Sequence, residues 1–432
     1  MKRRDFLRSM GATGAVLGLP LSISACGGSS NSGGSSSQTA TINWWHIQTG
    51  DPGKSNWQNL ANQYMKAHPN VSIKITLLEN EAFKSKLATD MQSGNPPDLF
   101  HSWGGGVLFN FAKAGLVQDL TSALQGDWGS SFNKSALDVY AQNGKNYGIP
   151  WDMGAVGFWY NKALFTKAGI TTTPTTWSDF LQLVQKLKAA GIAPLALGEK
   201  DKWPGMYWWA YLAVRTGGKD AFDKAYNRTG SFADPAFVQA GQHLRELVAL
   251  DPFQKGSLGA GYTDEITAMS NNKAAMELMG QWAPANDVGN PPVKNPPTLS
   301  FFPFPMVEGG TGNPTDVLGG GGGFAIGKNA PPETVDFLKF LTNSQNQQSM
   351  AKAGIVLPTV KGLVDAIPNP QMKAVAQLVS QAPYFQLYYD QYLPPALGQA
   401  ILDATQGLYA GTLTPEAAAR AVEDSAATAL SK

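Results

Sequence analysis

The stretch from Thr41 to Phe100, TINWWHIQTGDPGKSNWQNLANQYMKAHPNVSIKITLLENEAFKSKLATDMQSGNPPDLF, alternates between strand-like and helix-like hydrophobic spacing. The order is strand at 41–45, helix at 56–67, strand at 71–77, helix at 83–91 and strand at 98–100. This order predicts right-handed βαβ units on a mostly parallel sheet, because parallel neighbours need a crossover connection. We therefore expect an α/β fold.

Polar and aromatic residues stand at or directly after the carboxyl end of each of these three strands. They are Trp44-Trp45-His46, Glu79-Asn80 and His101-Ser102-Trp103-Gly104. Ligands of open α/β sheets bind beyond the carboxyl ends of the strands. The sequence therefore predicts a binding site at this edge.

The remainder of the body continues the mixed pattern. Thr176 is the expected N-cap of a helix that carries Phe180, Leu183, Val184 and Leu187. We expect extended segments at 147–150, 156–160, 194–197, 273–279 and 324–326, a helix at 333–342 and a surface excursion at the Pro/Gly-rich stretch 290–314.

The first residues are expected to form an export signal. A basic head with a twin arginine, Lys2–Arg8, precedes a weakly apolar stretch that is too short to remain as a membrane-spanning helix. The run Ile23-Ser24-Ala25-Cys26 resembles a bacterial lipobox. We expect residues 1–25 to be removed, by either the twin-arginine or the general export pathway, and residues 26–39 to be a lipidated cysteine with a Gly/Ser tether.

Cys26 is the only cysteine in the chain, so it cannot form an internal disulfide. The alternative to lipidation is a buried free thiol, which fits poorly because residues 27–37 are almost all Gly and Ser and offer no apolar surface. We therefore expect a protein anchored to the extracytoplasmic side of the cell membrane.

Composition narrows the function. The 432 residues suggest two or three domains, and 33 Lys and Arg against 32 Asp and Glu leave a net charge of +1, which disfavours nucleic-acid binding. Four scattered histidines give no metal-ligand pair, so neither a metal nor a cofactor is expected. The 12 tryptophans are a heavy load, and those on Gly-rich loops suggest ligand contact as well as core packing.

Four motifs, in order along the chain, carry a family resemblance. They are Trp57-x-x-Leu60-Ala61 leading to His68-Pro69-Asn70-Val71, Gly94-Asn95-Pro96-Pro97-Asp98, Tyr147-Gly148-Ile149-Pro150 with Tyr160-Asn161-Lys162, and Asn272-Lys273-Ala274-Ala275-Met276 with Gly280-x-Trp282. Together with the lipoprotein-like signal, this set resembles extracellular solute-binding proteins of ABC sugar importers.

The resemblance implies a two-lobed, maltose-binding-protein-like fold, of the periplasmic-binding-protein kind, with three crossovers and a ligand cleft between the lobes. Lobe one would comprise 40–152 plus 324–364, and lobe two 153–323 plus 365–432. The protein would be a monomeric receptor with no catalytic residues that delivers its ligand to the transmembrane subunits of an ABC permease.

A sugar presents apolar C–H faces and hydroxyl edges, so its receptor needs aromatic plates and polar side chains. Trp103 and Trp282, both beside glycine at strand ends, are the expected main platforms, although core packing is their alternative role. The remaining aromatic candidates on strand-end loops are Trp44, Trp45, Trp151 and Trp203.

Polar candidates stand beside these aromatics, and each has a structural alternative. His46 and His101 could be structural histidines, Lys84 a solvated helix residue, and Asp152 a residue that fixes the hinge. Glu79 and Asn80 offer an acceptor and a donor at the end of a strand. Gly320 and Gly321 would let the backbone pass close to the ligand.

Two hypotheses that involve charged ligands, a nucleotide phosphate loop and a receptor for a charged solute, are disfavoured. Gly322-x-x-x-x-Gly327-Lys328 has Asn329 where a phosphate loop needs Ser or Thr, and its glycines precede the expected strand instead of following it. Arg215, Arg228, Arg245 and Arg420 lie outside the cleft motifs, which disfavours a receptor for a charged solute.

The remaining alternative is an extracellular glycoside hydrolase, which needs two opposed carboxylates that Glu79, Asp152 and Asp316 could supply. The export-and-tether layout favours the receptor. The sequence therefore predicts a membrane-tethered binding protein for a neutral di- or oligosaccharide.

Overall fold

The computed structural model describes residues 39–431. The expected export signal at 1–25, the lipidation site Cys26 and the tether up to residue 38 lie outside the described residues. No helix within residues 39–431 is both long and apolar enough to cross a membrane.

The strands are short and spread along the whole body. In chain order they are β1 (Ala40–His46), β2 (Val71–Leu77), β3 (Leu99–Ser102), β4 (Ala141–Gln142), β5 (Lys145–Asn146), β6 (Ile149–Pro150), β7 (Gly154–Ala155), β8 (Gly157–Asn161), β9 (Ala193–Leu195), β10 (Ala274–Met279), β11 (Leu299–Phe302), β12 (Val317–Gly320), β13 (Gly323–Ile326) and β14 (Phe385–Leu387).

The helices alternate with these strands and then dominate the C-terminal region. They are α1 (Gly53–Ala67), α2 (Asn80–Gln92), α3 (Gly105–Lys113), α4 (Asp127–Ser131), α5 (Lys134–Asp138), α6 (Lys162–Lys167), α7 (Trp177–Ala189), α8 (Trp203–Tyr226), α9 (Pro235–Ala249), α10 (Tyr262–Ser270), α11 (Ala283–Asn286), α12 (Glu333–Leu341), α13 (Ser344–Lys352), α14 (Pro370–Gln381), α15 (Tyr389–Tyr392), α16 (Pro395–Ala410) and α17 (Pro415–Ala429).

The first sheet has five strands in the order β2-β1-β3-β13-β6. Strand β1 pairs in parallel with β2 and β3, as the βαβ pattern predicts. Strand β13, from a distant part of the chain, is antiparallel to both β3 and β6. Helix α1 buries Trp57, Leu60, Ala61 and Tyr64, the residues whose spacing indicates an amphipathic helix.

The second sheet has four strands in the order β11-β8-β10-β9. All six residues of β10 are buried, so this strand is the centre of the second core. Helix α7 packs near β9 and begins at Thr176, whose hydroxyl accepts the Asp179 N–H at 3.2 Å. The N-cap prediction is therefore confirmed.

One stretch of the second sheet differs from the sequence-based expectation. The region 290–314 contains β11, which pairs antiparallel with β8. Phe302 is buried and stacks on Phe158 with ring centroids 4.8 Å apart. The interpretation of 290–314 as a surface excursion is therefore wrong at 299–302, because flanking prolines hid a four-residue strand.

The chain passes between the two large sheets through a small third sheet in the order β14-β12-β7. Strand β7 lies between β6 and β8, and β12 directly precedes β13, so two of its strands are the connecting segments themselves. A third passage follows α13, where the Thr359 hydroxyl donates to the Pro150 carbonyl at 3.0 Å and, further on, Gln371 Oε1 accepts the Phe301 N–H at 3.1 Å. These passages define two lobes joined by three crossovers.

The C-terminal helices complete the second lobe. Helices α16 and α17 pack against each other and against α9, and α16 also packs against α8. Trp208 and Trp209 on α8 are buried in this core.

Candidate functional site

A cavity of about 520 Å³ lies between residues of the two lobes. Its volume falls in the range of pockets that hold small molecules. Most of the sequence-predicted ligand-binding residues line it, namely Glu79, Asn80, Lys84, His101, Trp103, Trp151, Asp152, Trp203, Trp282 and Gly321. The predicted residues at the ends of β2 and β3 therefore share one cavity, whereas those at the end of β1 do not line it.

Trp45 and His46 do not line the cavity. Strand β1 continues through both residues, so Trp45 points into a core with Phe83 and Leu87, and Lys86 Nζ lies 4.4 Å from the centre of its ring. Trp44 likewise belongs to the core, where its ring meets that of Trp57 edge-on at 5.5 Å. The residues after β1 that do line the cavity are 47–53.

His46 is a structural histidine beneath the cavity. Its ring lies 4.7 Å from Trp44, and its Nδ1 accepts the Gln48 N–H at 3.3 Å. Burial lowers the pKa of His46 to about 3, so the ring is neutral at neutral pH.

Gly320 is also outside the cavity, while Gly321 is on its wall. A Cβ at Gly320 would lie 2.4 Å from the Tyr388 ring, and a Cβ at Gly321 would lie 1.9 Å from the Asp152 carbonyl oxygen. These glycines therefore let two connecting segments pass close to each other. The close approach expected for the ligand is made instead by protein backbone and the Tyr388 ring.

The first lobe supplies an aromatic wall made of Trp103, His101 and Trp151. The His101 ring lies 4.5 Å from Trp103 and 6.2 Å from Trp151. Trp103 follows β3 and is half-buried, as a stacking platform requires. The site-lining prediction for these three residues matches their placement.

His101 presents unused polar atoms to this wall. Both ring nitrogens are buried and have no hydrogen-bond partner among the described residues. Burial, followed by repulsion from His46 and Lys84, lowers the pKa of His101 to about 3. A neutral imidazole carries one donor and one acceptor, which matches a hydroxyl group.

The second lobe supplies the facing wall. Trp203 contacts Tyr262 at 4.7 Å and Tyr207 at 5.5 Å, Tyr207 lies 5.0 Å from Tyr388, and Tyr388 lies 6.3 Å from Trp282. These centroid distances describe one continuous aromatic surface. Trp203 is the first residue of α8, not a loop residue as expected.

Trp282 follows β10 and is half-buried at the cavity. A Cβ at Gly280 would lie 2.3 Å from its indole ring, so only glycine at this position allows the ring to fold back over the chain. The sequence signal of a tryptophan beside glycine at a strand end thus has a direct steric cause.

Asp152 holds the connecting segments together. Its Oδ1 accepts the Leu357 N–H at 2.7 Å and its Oδ2 accepts Gln281 Nε2 at 2.6 Å. Burial raises the pKa of Asp152 to about 6, and these hydrogen bonds limit the rise. Both oxygens already have protein partners, so the geometry favours the hinge-fixing alternative, while Gln281 Oε1 is left without a partner among the described residues.

Lys84, on α2 of the first lobe, reaches both aromatic walls. Its Nζ lies 5.5 Å from the centre of Trp103 and 5.9 Å from the centre of Trp203, and it pairs with Glu81 at 3.1 Å. Glu79 is the N-cap residue of α2, and Asn80 Nδ2 donates to Glu81 Oε1 at 3.0 Å. Lys84 is therefore a cavity residue as well as an ion-paired helix residue.

Several cavity residues escaped sequence reasoning. They include Tyr207, Tyr262, Gln281, Asn286, Tyr388, Asp390 and Gln391, together with 47–53, 289–291 and Val293. Tyr207 lies inside a long helix, and Tyr388 to Gln391 lie in the C-terminal region where no motif is recognisable. A Tyr directly after the alternating segment Phe385-Gln386-Leu387 was the one available signal.

Two further expectations concern other chemistry. Asp316 is buried away from the cavity and accepts the Asn313 N–H at 3.0 Å, so it cannot be half of a carboxylate pair there. Arg215 is buried and donates to the carbonyls of Phe304, Pro305 and Asp316, which is a structural role.

The two-lobed α/β body with an aromatic cleft between its lobes defines a solute-binding receptor. Residues 50–348 match the family model of bacterial extracellular solute-binding proteins, and the chain belongs to this family. Because the family consists of binding proteins, the hydrolase alternative is set aside.

Known proteins similar to this chain agree with that assignment. An uncharacterized ABC transporter extracellular-binding protein of Pyrococcus horikoshii is 28% identical over 65% of each chain. The diacetylchitobiose binding protein DasA of Streptomyces coelicolor is 26% identical over 82% of this chain and 83% of its own. A structure from a study of xylan utilization by Caldanaerobius polysaccharolyticus is 30% identical, covers 89% of this chain and 99% of its own, and has a TM-score of 0.83.

Proposed function

We propose that this protein is the substrate-binding receptor of an ABC transporter and captures a neutral di- or oligosaccharide outside the cytoplasmic membrane. The observation that carries the proposal is the pair of aromatic walls, Trp103-His101-Trp151 on one lobe and Trp203-Tyr207-Tyr262-Tyr388-Trp282 on the other. Sugar rings bind such surfaces through their C–H faces.

Unused polar atoms at the cavity support a hydroxyl-rich ligand. They are both ring nitrogens of His101, the indole N–H groups of Trp151 and Trp203, and Gln281 Oε1, all buried without a partner among the described residues. A buried donor or acceptor without a hydrogen bond costs about 1–3 kcal/mol, so a ligand that supplies the missing partners is favoured. Sugar hydroxyls both donate and accept.

The names of similar proteins point to the same ligand class. One relative is named for diacetylchitobiose, and one similar structure comes from work on xylan utilization. Oligosaccharides with β-linked rings, from plant xylan or glucan or from chitin, are therefore the first candidates. A cavity with several aromatic rings in its walls suits two or more sugar units.

We also propose that ligand binding closes the cleft by rotation of the lobes, and that the permease recognises the closed form. Lobe one would be 40–152 plus 324–364, and lobe two 153–323 plus 365–432. The five-stranded sheet, built from β1, β2, β3, β6 and β13, and the packing of α16 and α17 on α8 and α9 support these boundaries.

The anchoring proposal rests on the sequence alone. A lipid on Cys26 and the Gly/Ser tether after it would hold a monomeric receptor at the outer face of the cell membrane. Labelled fatty acid should enter the expressed chain, and a Cys26→Ser variant should carry no label and be released from cells.

A thermal-shift screen tests the ligand class. Residues from 39 onward form one compact unit, so a chain that starts there is a suitable sample. Xylotriose, cellotriose, maltotriose and diacetylchitobiose are compared with amino acids, phosphate and citrate. Binding to the native state raises the melting temperature. A shift with at least one sugar supports the proposal, whereas shifts confined to non-sugar solutes contradict it, and intact sugar after incubation confirms binding without cleavage.

A further inference from the structure

The charges around the cavity are mostly negative. Four carboxylate side chains line it, from Asp51, Glu79, Asp152 and Asp390, and among the described lining residues the only Lys or Arg is Lys84. The carboxylates come from separate segments of the chain, and Asp390 lies on α15. The low-dielectric walls of a cleft concentrate the electric field of these charges, so a ligand in the cleft is strongly exposed to it.

The single cation does not offset this imbalance. Lys84 Nζ is already 3.1 Å from Glu81 Oε1, and its side chain is 28% exposed. A ligand carboxylate would therefore compete with Glu81 for the ammonium. Such a ligand would pair with one ammonium that it shares with Glu81, and it would be repelled by the carboxylates that line the cavity.

Asp390 is the carboxylate best placed to act on a ligand. Its side chain lines the cavity, and Gln391 Nε2 donates to its Oδ2 at 2.7 Å. Burial raises the pKa of Asp390, and the positive charge of Lys84 works in the opposite direction. By contrast, both oxygens of Asp152 are used inside the protein.

The position of Asp390 is fixed by the backbone around it. Helix α15 packs against α3, and a Cβ at Gly105 would lie 2.4 Å from the Gln391 carbonyl oxygen. The Tyr392 N–H donates to the Tyr388 carbonyl at 2.8 Å. Asp390 lies in the C-terminal region of the chain, outside residues 50–348, the part that matches the family model.

We propose that Asp390 is a specificity-determining residue that excludes sugars carrying a carboxylate, phosphate or sulfate group and restricts the cavity to uncharged oligosaccharides. This inference rests on the proposed function, because it concerns the ligand of the same site. A ligand carboxylate that replaces a hydroxyl group beside Asp390 would bring two negative charges together, whereas the hydroxyl could donate a hydrogen bond to the Asp390 carboxylate.

Calorimetry with paired probes tests the inference. Xylotriose and maltotriose are each compared with a counterpart that carries one glucuronic acid ring, glucuronosyl-xylotriose and glucuronosyl-maltose. For whichever neutral sugar binds, the acidic counterpart should bind at least about tenfold more weakly. The Asp390→Asn variant should reduce the ratio of neutral-sugar affinity to acidic-sugar affinity at least about threefold. The amide removes the negative charge of the side chain and keeps its shape.

A matched control removes a negative charge elsewhere. Asp424 is exposed on α17 and does not line the cavity, so Asp424→Asn should leave the ratio unchanged. If Asp390→Asn does not fold, Asp390→Ser removes the same negative charge with a smaller polar side chain and should also narrow the ratio.

The outcomes separate the two proposals. If neither neutral sugar nor any sugar of the earlier screen binds, the proposed function fails, and this inference with it. If a neutral sugar binds and its acidic counterpart binds equally well, or if the ratio of the two affinities is unchanged in a folded Asp390 variant, only the role of Asp390 is overturned.

Discussion

The ammonium group of Lys84 lies 5.9 Å from the centre of the Trp203 ring, although the two residues belong to different lobes. The same ammonium lies 5.5 Å from Trp103 on its own lobe. Lys84 therefore joins the two aromatic walls across the cleft. A cation over an aromatic face contributes about 0.5–2 kcal/mol, depending on how far it is desolvated.

We expect Lys84→Met to weaken binding of a neutral oligosaccharide by about 1 kcal/mol, because it removes an interaction between the lobes that favours the closed cleft. Lys86 provides the matched control. Its ammonium lies 4.4 Å from the Trp45 ring outside the cavity, so Lys86→Met should leave the affinity unchanged. If calorimetry gives equal sugar affinities for the two variants, Lys84 does not contribute to closure of the cleft.

Replacing either expected platform should weaken sugar binding directly. Trp103→Ala and Trp282→Ala should each lose about 1–3 kcal/mol of binding free energy, because each removes an aromatic surface at the cavity. Trp45→Phe is the control, since Trp45 is buried in a separate core. This variant should lower the melting temperature and keep the affinity, and the opposite pattern would show that the two kinds of tryptophan have been assigned the wrong way round.

The two buried histidines make the ligand-free protein sensitive to acid. Burial lowers the pKa of His46 and His101 to about 3, whereas an unfolded histidine titrates near 6.5. Between these values the unfolded chain binds more protons, so stability falls as the pH falls from 6.5 towards 3. The loss is at most about 1.4 kcal/mol per pH unit for each histidine.

Urea unfolding at a series of pH values measures this effect. His46→Gln should flatten the loss below pH 6.5, because the amide does not titrate and its oxygen can replace Nδ1 as the acceptor for Gln48. His46 does not line the cavity, so sugar affinity at neutral pH serves as a check on folding. If the free energy of unfolding declines equally steeply with falling pH in His46→Gln and in the wild type, groups other than His46 cause the acid sensitivity.

Carboxyl groups behind the cavity wall give the opposite pH dependence. Glu277 on β10 is fully buried beside Glu265 and Asp287, and burial raises the pKa of Glu277 to about 8. Burial and the neighbouring Glu277 charge also raise the pKa of Glu265 and Asp287 well above their usual range. The native protein then binds more protons than the unfolded chain between about pH 4.5 and pH 8, so this contribution to stability falls as the pH rises through that window.

Glu277→Gln should reduce the alkaline loss. The amide stays neutral at all pH values and can donate to the neighbouring carboxyl groups. Melting temperatures at pH 6 and pH 9 should differ less for the variant than for the wild type. An exposed substitution, Glu246→Gln on α9, is the control and should leave the difference unchanged. If both variants behave like the wild type, the cluster is not the cause.

Hydrophobic spacing alone predicted most of the first lobe. The alternation at 71–77 and the helical spacing of Trp57, Leu60, Ala61 and Tyr64 correspond to a real strand and a real buried helix face. These signals are local, so sequence reasoning could find them. Strand β13, which completes the sheet, was visible as a strand, but its pairing with β3 depends on contacts across more than 200 residues.

The errors have equally physical causes. Trp45 and His46 look like loop residues, but β1 runs to His46, and the alternation of a strand turns Trp45 away from the cavity. The four residues of β11 stand between prolines, which are turn signals. Tyr388 and Asp390 reach the cavity only because the C-terminal chain returns to pair β14 with β12, which no local pattern indicates.

The small sheet β14-β12-β7 also governs how the molecule can move. Its strands tie two of the connecting segments to each other through backbone hydrogen bonds, and Asp152 links them to the third through the Leu357 N–H. No single connection can bend while the others stay still. We therefore expect the two lobes to open about a single axis, with all the connecting segments twisting together.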